Sequence, residues 1–223
     1  MKNIIIIAVF VVVMLFFMMG KKTGNDKVIV DTYPWQITVL PNGRSKVFGV
    51  VLGETVLRDI DQILKSRATV ALFESGNKLS LEAYYKSVTK GGLSGSFVFT
   101  LDTTNEQMEK LKKESSKKER TENNNIRYDL DMAATGLAKG MVVKYLNYIP
   151  AVQLDEDIIV KRFGEPVKKI KLKTREAGWH YLYPEKGLDL IYKEEGKEVL
   201  QYVLPKNFNA LIEPLLSHQS QSR

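Results

Sequence analysis

The sequence predicts an α+β fold: an N-terminal membrane anchor helix, then two tandem units in which a short helix packs on an antiparallel β-meander. Three observations carry that prediction. The first is an uninterrupted apolar run at the N-terminus, Ile4 to Met19. The second is helical spacing of apolar residues in "LGETVLRDIDQIL" at 52–64 and helix-boundary chemistry in "LDEDIIVKRFGEP" at 154–166. The third is that each stretch is followed by strand-like runs separated by turn residues.

Composition permits a real core. The chain has 223 residues, 44% hydrophobic and 26% charged, which is ordinary globular usage. Its formal net charge of +7 favours anionic surfaces without choosing among lipid, nucleic acid and acidic protein. The absence of cysteine excludes disulfides, thiolate metal sites and cysteine nucleophiles, and says nothing about redox compartment.

The apolar run has 16 residues and is followed by Gly20, Lys21 and Lys22. As a helix it covers about 24 Å against a hydrocarbon core of about 30 Å, a deficit that snorkelling lysines and local thinning absorb. Bulky Phe16, Phe17, Met18 and Met19 stand where a signal-peptide cleavage site needs small residues. An uncleaved anchor over residues 1–22 is therefore expected, with a polar tether at 23–31. Orientation is contested by two arguments. The flanking lysines place the body in the cytoplasm by simple counting, whereas a very short N-terminus stays inside and favours translocation of the body.

The first unit is predicted over 32–122. Gln36 to Leu40 alternates as a strand, Pro41-Asn42-Gly43 is turn chemistry, and Lys46 to Val51 begins a second apolar run. Trp35 reads as a packing residue. In 52–64, Val56, Leu57, Ile60, Ile63 and Leu64 recur at helical spacing. Strands follow at 68–74, 79–88 and 94–101. The loop "TKGGLSGS" at 89–96 lacks the GxxxxGK[ST] order and has no helix behind it, so it reads as a hairpin connection and not a phosphate cradle. Residues 105–122 hold six basic and five acidic side chains and predict a solvated helix, ending in a loop at Asn123-Asn124-Asn125.

A linking segment, 123–150, supplies a short helix and a strand from Met141 to Ile149. The second unit, 151–210, opens on "LDEDIIVKRFGEP". Asp155 is a plausible N-cap, Glu156 and Asp157 suit the positive end of the helix, and Leu154 can staple onto Ile159. Ile158, Ile159 and Phe163 form the expected buried face, Lys161 and Arg162 suit the C-terminal end, Gly164 caps it and Pro166 stops it. So short a helix is marginal alone and needs a sheet to lie on. Strands are predicted at 168–173, 178–183, 188–193 and 199–204, with turns "PEKG" and "EEGK" between them. A polar tail, 211–223, closes the chain. "LGETVL" at 52 and "LDEDII" at 154 stand 102 residues apart, and Gly92-Leu93 and Gly187-Leu188 stand 95 apart, a weak internal echo.

On these residues the chain resembles the BamE (SmpA/OmlA) superfamily of small bacterial envelope domains. Leu154, Asp157, Ile158, Phe163, Gly164 and Pro166 carry the resemblance, with a poorer echo in Gly53, Thr55, Val56 and Ile60. A tandem pair of such units resembles the β-lactamase-inhibitor proteins. The likeness covers about half of the chain, and the lipid-attachment cysteine of BamE is missing, with an apolar anchor in its place. The resemblance implies the fold and an envelope location, assigns no binding residue, and turns the orientation towards a periplasmic body.

No catalytic motif is present: there is no GxSxG and no P-loop. His218 belongs to the tail, and His180 in "GWHYLYP" reads as a sheet-face histidine with no metal-binding company. No enzyme activity, cofactor or metal is expected. Two surfaces are candidates for binding. In "KKIKLKTR", Lys169, Lys171, Lys173 and Arg175 alternate with Ile170, Leu172 and Thr174 and would form an anionic-partner surface on a solvated sheet face. Tyr84, Trp179, Tyr181 and Tyr183 form a candidate aromatic interface. Nucleic acid is not expected, since neither a groove-entering helix nor a stacking platform is evident. The expectation is a single-pass inner-membrane protein with a periplasmic body, a non-catalytic accessory or scaffolding subunit of an envelope complex. A lipid or small apolar ligand-binding module is the alternative.

Overall fold

Strand periodicity dominates the chain after residue 31, and the architecture follows from how those strands find partners. The computed structural model describes residues 32–172 and 177–217. A small sheet comes first, made of β1 (Thr38–Val39), β2 (Ser45–Val47) and β3 (Val50–Val51). The predicted Pro41-Asn42-Gly43 turn joins its first two strands, and Leu40 N–H donates to the Arg44 carbonyl at 2.8 Å.

All other strands enter one antiparallel sheet of ten. They are β4 (Thr69–Ser75), β5 (Lys78–Lys90), β6 (Leu93–Leu101), β7 (Lys117–Arg120), β8 (Ile126–Asp129), β9 (Val143–Pro150), β10 (Lys168–Lys171), β11 (Gly178–Tyr183), β12 (Leu188–Lys193) and β13 (Val199–Tyr202). Their order across the sheet is β10-β11-β12-β13-β9-β6-β5-β4-β8-β7. Five short helices accompany them: α1 (Leu57–Leu64), α2 (Asn105–Lys113), α3 (Met132–Ala138), α4 (Glu156–Phe163) and α5 (Phe208–Ser217).

This overturns the predicted α+β arrangement of two tandem helix-on-meander units. The fold is mostly β, and strands from both halves of the sequence share one continuous sheet. The segment read as a link supplies its middle. β9 pairs with β13 through Leu146, Asn147 and Tyr148, and with β6 from Gly95 to Leu101. Alternation tells which face a side chain takes, but unpaired N–H and C=O groups along an edge choose the neighbour. β9 satisfies two such edges at once, so the sheet does not stop between the halves.

Two further elements depart from expectation. The charged segment 105–122 is a helix only to Lys113, capped by a reciprocal box: Thr104 Oγ1 accepts from Gln107 N–H at 3.2 Å and Gln107 Oε1 accepts from Thr104 N–H at 2.9 Å. Its remainder is β7, which turns through Asn123-Asn124-Asn125 into β8. β7 and β10 are the two outermost strands, and Lys117, Lys118 and Arg120 on one and Lys168, Lys169 and Lys171 on the other hinder further strand addition. The predicted tail also begins too early, because α5 runs through 208–217 and buries Phe208 and Ile212.

Side-chain rows show where the core lies. On one face, Tyr181, Leu190, Leu200, Tyr148, Phe97 and Tyr85 stand opposite one another across six strands. A second row runs Tyr183, Leu188, Tyr202, Leu146, Phe99, Ala83 and Val70. Both rows are buried, and each large ring taken fully out of water stabilises the fold by about 2–3 kcal/mol. Leu57, Ile60 and Leu64 of α1, Met108 and Leu111 of α2, Ala134 and Ala138 of α3, and Ile159 and Phe163 of α4 pack into the same cluster, as does Phe48 of the small sheet. The α4 boundaries are as predicted, with Asp155 at the N-cap and Gly164 after the last turn, although the Asp155 side chain makes no capping hydrogen bond and Gly164, at φ 84° and ψ 178°, is not in the left-handed helical conformation. Ile158 is not part of its buried face and is 42% exposed.

The opposite face carries a smaller cluster, in which Ile170, Leu182 and Val203 meet Phe208 and Ile212 of α5. No helix among the described residues is long and apolar enough to cross a membrane, and the predicted anchor at 4–19 lies outside the described residues.

Candidate functional site

The predicted basic surface is divided by its position on β10. Ile170 points to the α5 side, so Lys169 and Lys171 point to the side that carries α4. They stand at the rim of the helix-covered face and not on a solvated outer face of the sheet. Lys169 is engaged there: its Nζ donates to Glu156 Oε1 at 2.9 Å and lies 4.5 Å from the centre of the Tyr181 ring. The Tyr181 hydroxyl also donates to Glu156, and these two bonds, the tyrosine's first, hold that carboxyl below its usual range. Lys171 is exposed, while Lys173 and Arg175 lie outside the described residues.

The predicted aromatic interface does not assemble. Tyr181 and Tyr183 are core residues, and Tyr183 Oη donates to the Gly164 carbonyl at 2.9 Å. Trp179 is half-buried against the same cluster. Tyr84 alone reaches the other face, 39% exposed, with its hydroxyl 3.3 Å from Ser96 Oγ. Strand parity separates them: the register places Tyr84 in line with Val98, and Tyr181 in line with Leu190.

His180 is a sheet residue, as its sequence context suggests, but it has a partner that spacing did not reveal. Its Nδ1 lies 2.8 Å from Asp189 Oδ2 and 3.1 Å from Oδ1, with both side chains buried. β11 pairs with β12 so that Leu182 faces Asp189, which sets His180 diagonal to the carboxylate on the same face. No group of three His, Cys, Asp or Glu side chains gathers among the described residues to hold a metal ion.

The open face has its own row: Asp189, Gln201, Asn147, Val98, Tyr84 and Thr69 stand opposite one another from β12 to β4. One row away, Glu82 is half-buried, and its burial raises the carboxyl pKa despite a 2.7 Å hydrogen bond from Ser80 Oγ. Only α5 covers this face among the described helices, and a cavity of about 280 Å³ opens where it meets the sheet. Thr100, Tyr145, Asn147, Gln201 and Asn207 supply its polar lining, and Val203, Ala210 and Leu211 its apolar wall. Thr100 pairs with Tyr145, and Asn147 with Gln201, so the ladder itself fixes four of the five polar groups. None of these five side chains makes a hydrogen bond to a described residue, while Lys144 Nζ sits 5.5 Å from the centre of the Tyr145 ring.

A larger cleft, about 670 Å³, adjoins this cavity at Asn207 and is lined by Arg44, Lys144, Lys206 and Asp102 among others. Its charges are largely engaged, Arg44 with Glu54 at 3.0 Å and Lys144 with Asp102 at 3.7 Å. Sequence reading missed the cavity because its residues lie at 100, 145, 147, 201 and 207, on elements whose adjacency depends on β9. The one local signal was the polar half of the β9 alternation, Tyr145 and Asn147 alternating with buried Leu146 and Tyr148.

Compared with known proteins, the chain matches no family model, no curated protein and no solved structure.

Proposed function

We propose that this is a non-catalytic binding protein of the bacterial envelope, anchored in the inner membrane by residues 4–19 with its body in the periplasm. It serves as an accessory or scaffolding subunit and docks a partner protein on the open face of its sheet. The observation that supports this reading is the inequality of the two faces. One is sealed by four helices and the small sheet; the other carries α5 alone and leaves Tyr84, Ser96 and Val98 partly accessible beside the amides of Asn147 and Gln201. An exposed aromatic side chain beside hydroxyl and amide groups, with the half-buried Glu82 one row away, suits a protein interface. The resemblance of the α4 stretch to BamE-like domains favours the envelope.

Affinity capture from native membranes in mild detergent tests the reading. Wild type is compared with Tyr84→Lys/Val98→Glu on the open face and with Lys169→Glu/Lys171→Glu on the β10 rim, circular dichroism confirming that both fold. A defined subunit that the open-face variant loses and the rim variant keeps is the expected result. Equal capture by wild type and the open-face variant removes that face as the docking surface. Recovery of extractable lipid with no protein would instead favour the apolar-ligand alternative.

A further inference from the structure

We infer that the cavity between α5 and strands β6, β9 and β13 is a binding site for an uncharged polyhydroxylated ring, the chemistry of a sugar residue. This goes beyond docking of a protein and does not depend on it. The inventory of groups is the first ground. Asn147, Gln201 and Asn207 each offer a primary amide, which donates and accepts, and Thr100 and Tyr145 add hydroxyls that do both. A ring of hydroxyls, each also donor and acceptor, is the complement of such a lining. Among the described residues no charged side chain lines the cavity, and the nearby Lys144 ammonium is engaged by Asp102 at 3.7 Å, which disfavours a phosphate, a carboxylate or an ammonium group.

Shape and polarity supply the second ground. Val203, Leu211 and Ala210 make one wall apolar, and the half-buried Tyr145 lies among the polar groups. A pyranose has a C–H face to lay on such a wall and a hydroxyl rim to turn towards the amides. An alkyl chain in the same place would cover five hydrogen-bonding side chains without giving them partners, at about 1–3 kcal/mol for each group left unsatisfied. An extended peptide needs a longer channel, since about 280 Å³ lies at the lower end of small-molecule sites.

The third ground is rigidity. Thr100, Tyr145, Asn147 and Gln201 are held by a backbone ladder, and Val203 N–H donates to the Gly187 carbonyl at 2.8 Å. Asn207 closes a tight turn, its N–H bonded to the Leu204 carbonyl at 2.8 Å. The groups are therefore placed before a ligand arrives, which lowers the ordering cost of binding.

The test uses the full chain, ¹⁵N-labelled, in a detergent without a sugar headgroup. The side-chain NH₂ signals of Asn147, Gln201 and Asn207 are followed during titration with glucose and with N-acetylglucosamine through the millimolar range. Saturable shifts of these signals with either sugar are expected. Asn147→Leu should weaken binding by about tenfold or more, as loss of a bidentate amide implies, and Lys206→Glu in the adjoining cleft should leave it unchanged. If Asn147→Leu does not fold, Asn207→Ala on the turn takes its place. Absence of saturable shifts with both sugars would overturn the inference, as would equal affinity in the amide variants. Saturation of the same signals by octanoate and by neither sugar would also overturn it.

Discussion

Glu198 is the residue most at odds with its surroundings. It is fully buried just before β13, and neither carboxyl oxygen has a donor in good hydrogen-bond geometry among the described residues. Burial raises its pKa above the ordinary 4.5. The nearby amides of Glu198 and Leu154 oppose the rise, and the charge of Asp155 adds to it. The folded state then keeps a proton that the unfolded state releases, so stability falls as pH climbs above about 4.5 towards the raised value. Glu74 has the opposite sign: hydrogen bonds from Lys112 at 2.6 Å and Tyr128 at 2.5 Å lower its pKa, so its contribution is present at neutral pH and lost on acidification. Glu198→Gln keeps the shape of the acid and cannot ionise. It should match wild type near pH 4 and exceed it at pH 7 in chemical denaturation, whereas an advantage over wild type no larger at pH 7 than at pH 4 would contradict a carboxyl pKa raised by burial. No sequence feature announced Glu198, because a lone glutamate beside a lysine in a turn reads as solvated.

At the scale of elements, boundaries were the most legible part of the chain. The α4 stretch carries its own start and stop, and the turn before β12 carries Gly187 where a left-handed residue is needed, at φ 66°. That glycine does more than turn. Its carbonyl accepts from Val203 N–H at 2.8 Å, and a Cβ built on it would lie 2.1 Å from the Val203 carbonyl oxygen. Gly187→Ala therefore meets both a backbone penalty and a collision with main chain that has no room to yield. Gly76, at φ 57° with nothing near its missing Cβ, meets only the first. Gly76→Ala should cost about 1–2 kcal/mol, and Gly187→Ala well above about 3 kcal/mol, as read from paired urea melts. Equal losses would show that the close approach to Val203 is absent. What local signals could not separate was an exposed edge strand from a solvated helix. Lys117 to Arg120 satisfies both descriptions, since the pairing that decides lies with Ile126 to Asp129 on the next strand.

For the whole molecule, pairing of distant segments was illegible, and the candidate site was illegible with it. Thr100, Asn147 and Gln201 come together only because β9 stands between β6 and β13. Period-2 alternation marked each of those strands correctly and carried no information on their order. The position of β9 has a thermodynamic consequence. Its buried Leu146 and Tyr148 contact rows from both halves of the sequence, and the apolar cluster they join runs without a break from α1 to β13. Neither half holds a complete core, because a cut between β8 and β9 would strip β6 of one of its two partner strands and remove Tyr148 and Leu146 from beside Phe97 and Phe99. Unfolding of the body should be one cooperative event. Tryptophan fluorescence, which samples Trp35 and Trp179, and far-ultraviolet circular dichroism should give coincident transitions in urea, and separately expressed segments 32–122 and 123–217 should each fail to melt cooperatively. Two resolved transitions, or a folded 123–217 fragment, would mean that the sheet is two structures in contact and that β9 belongs to one of them.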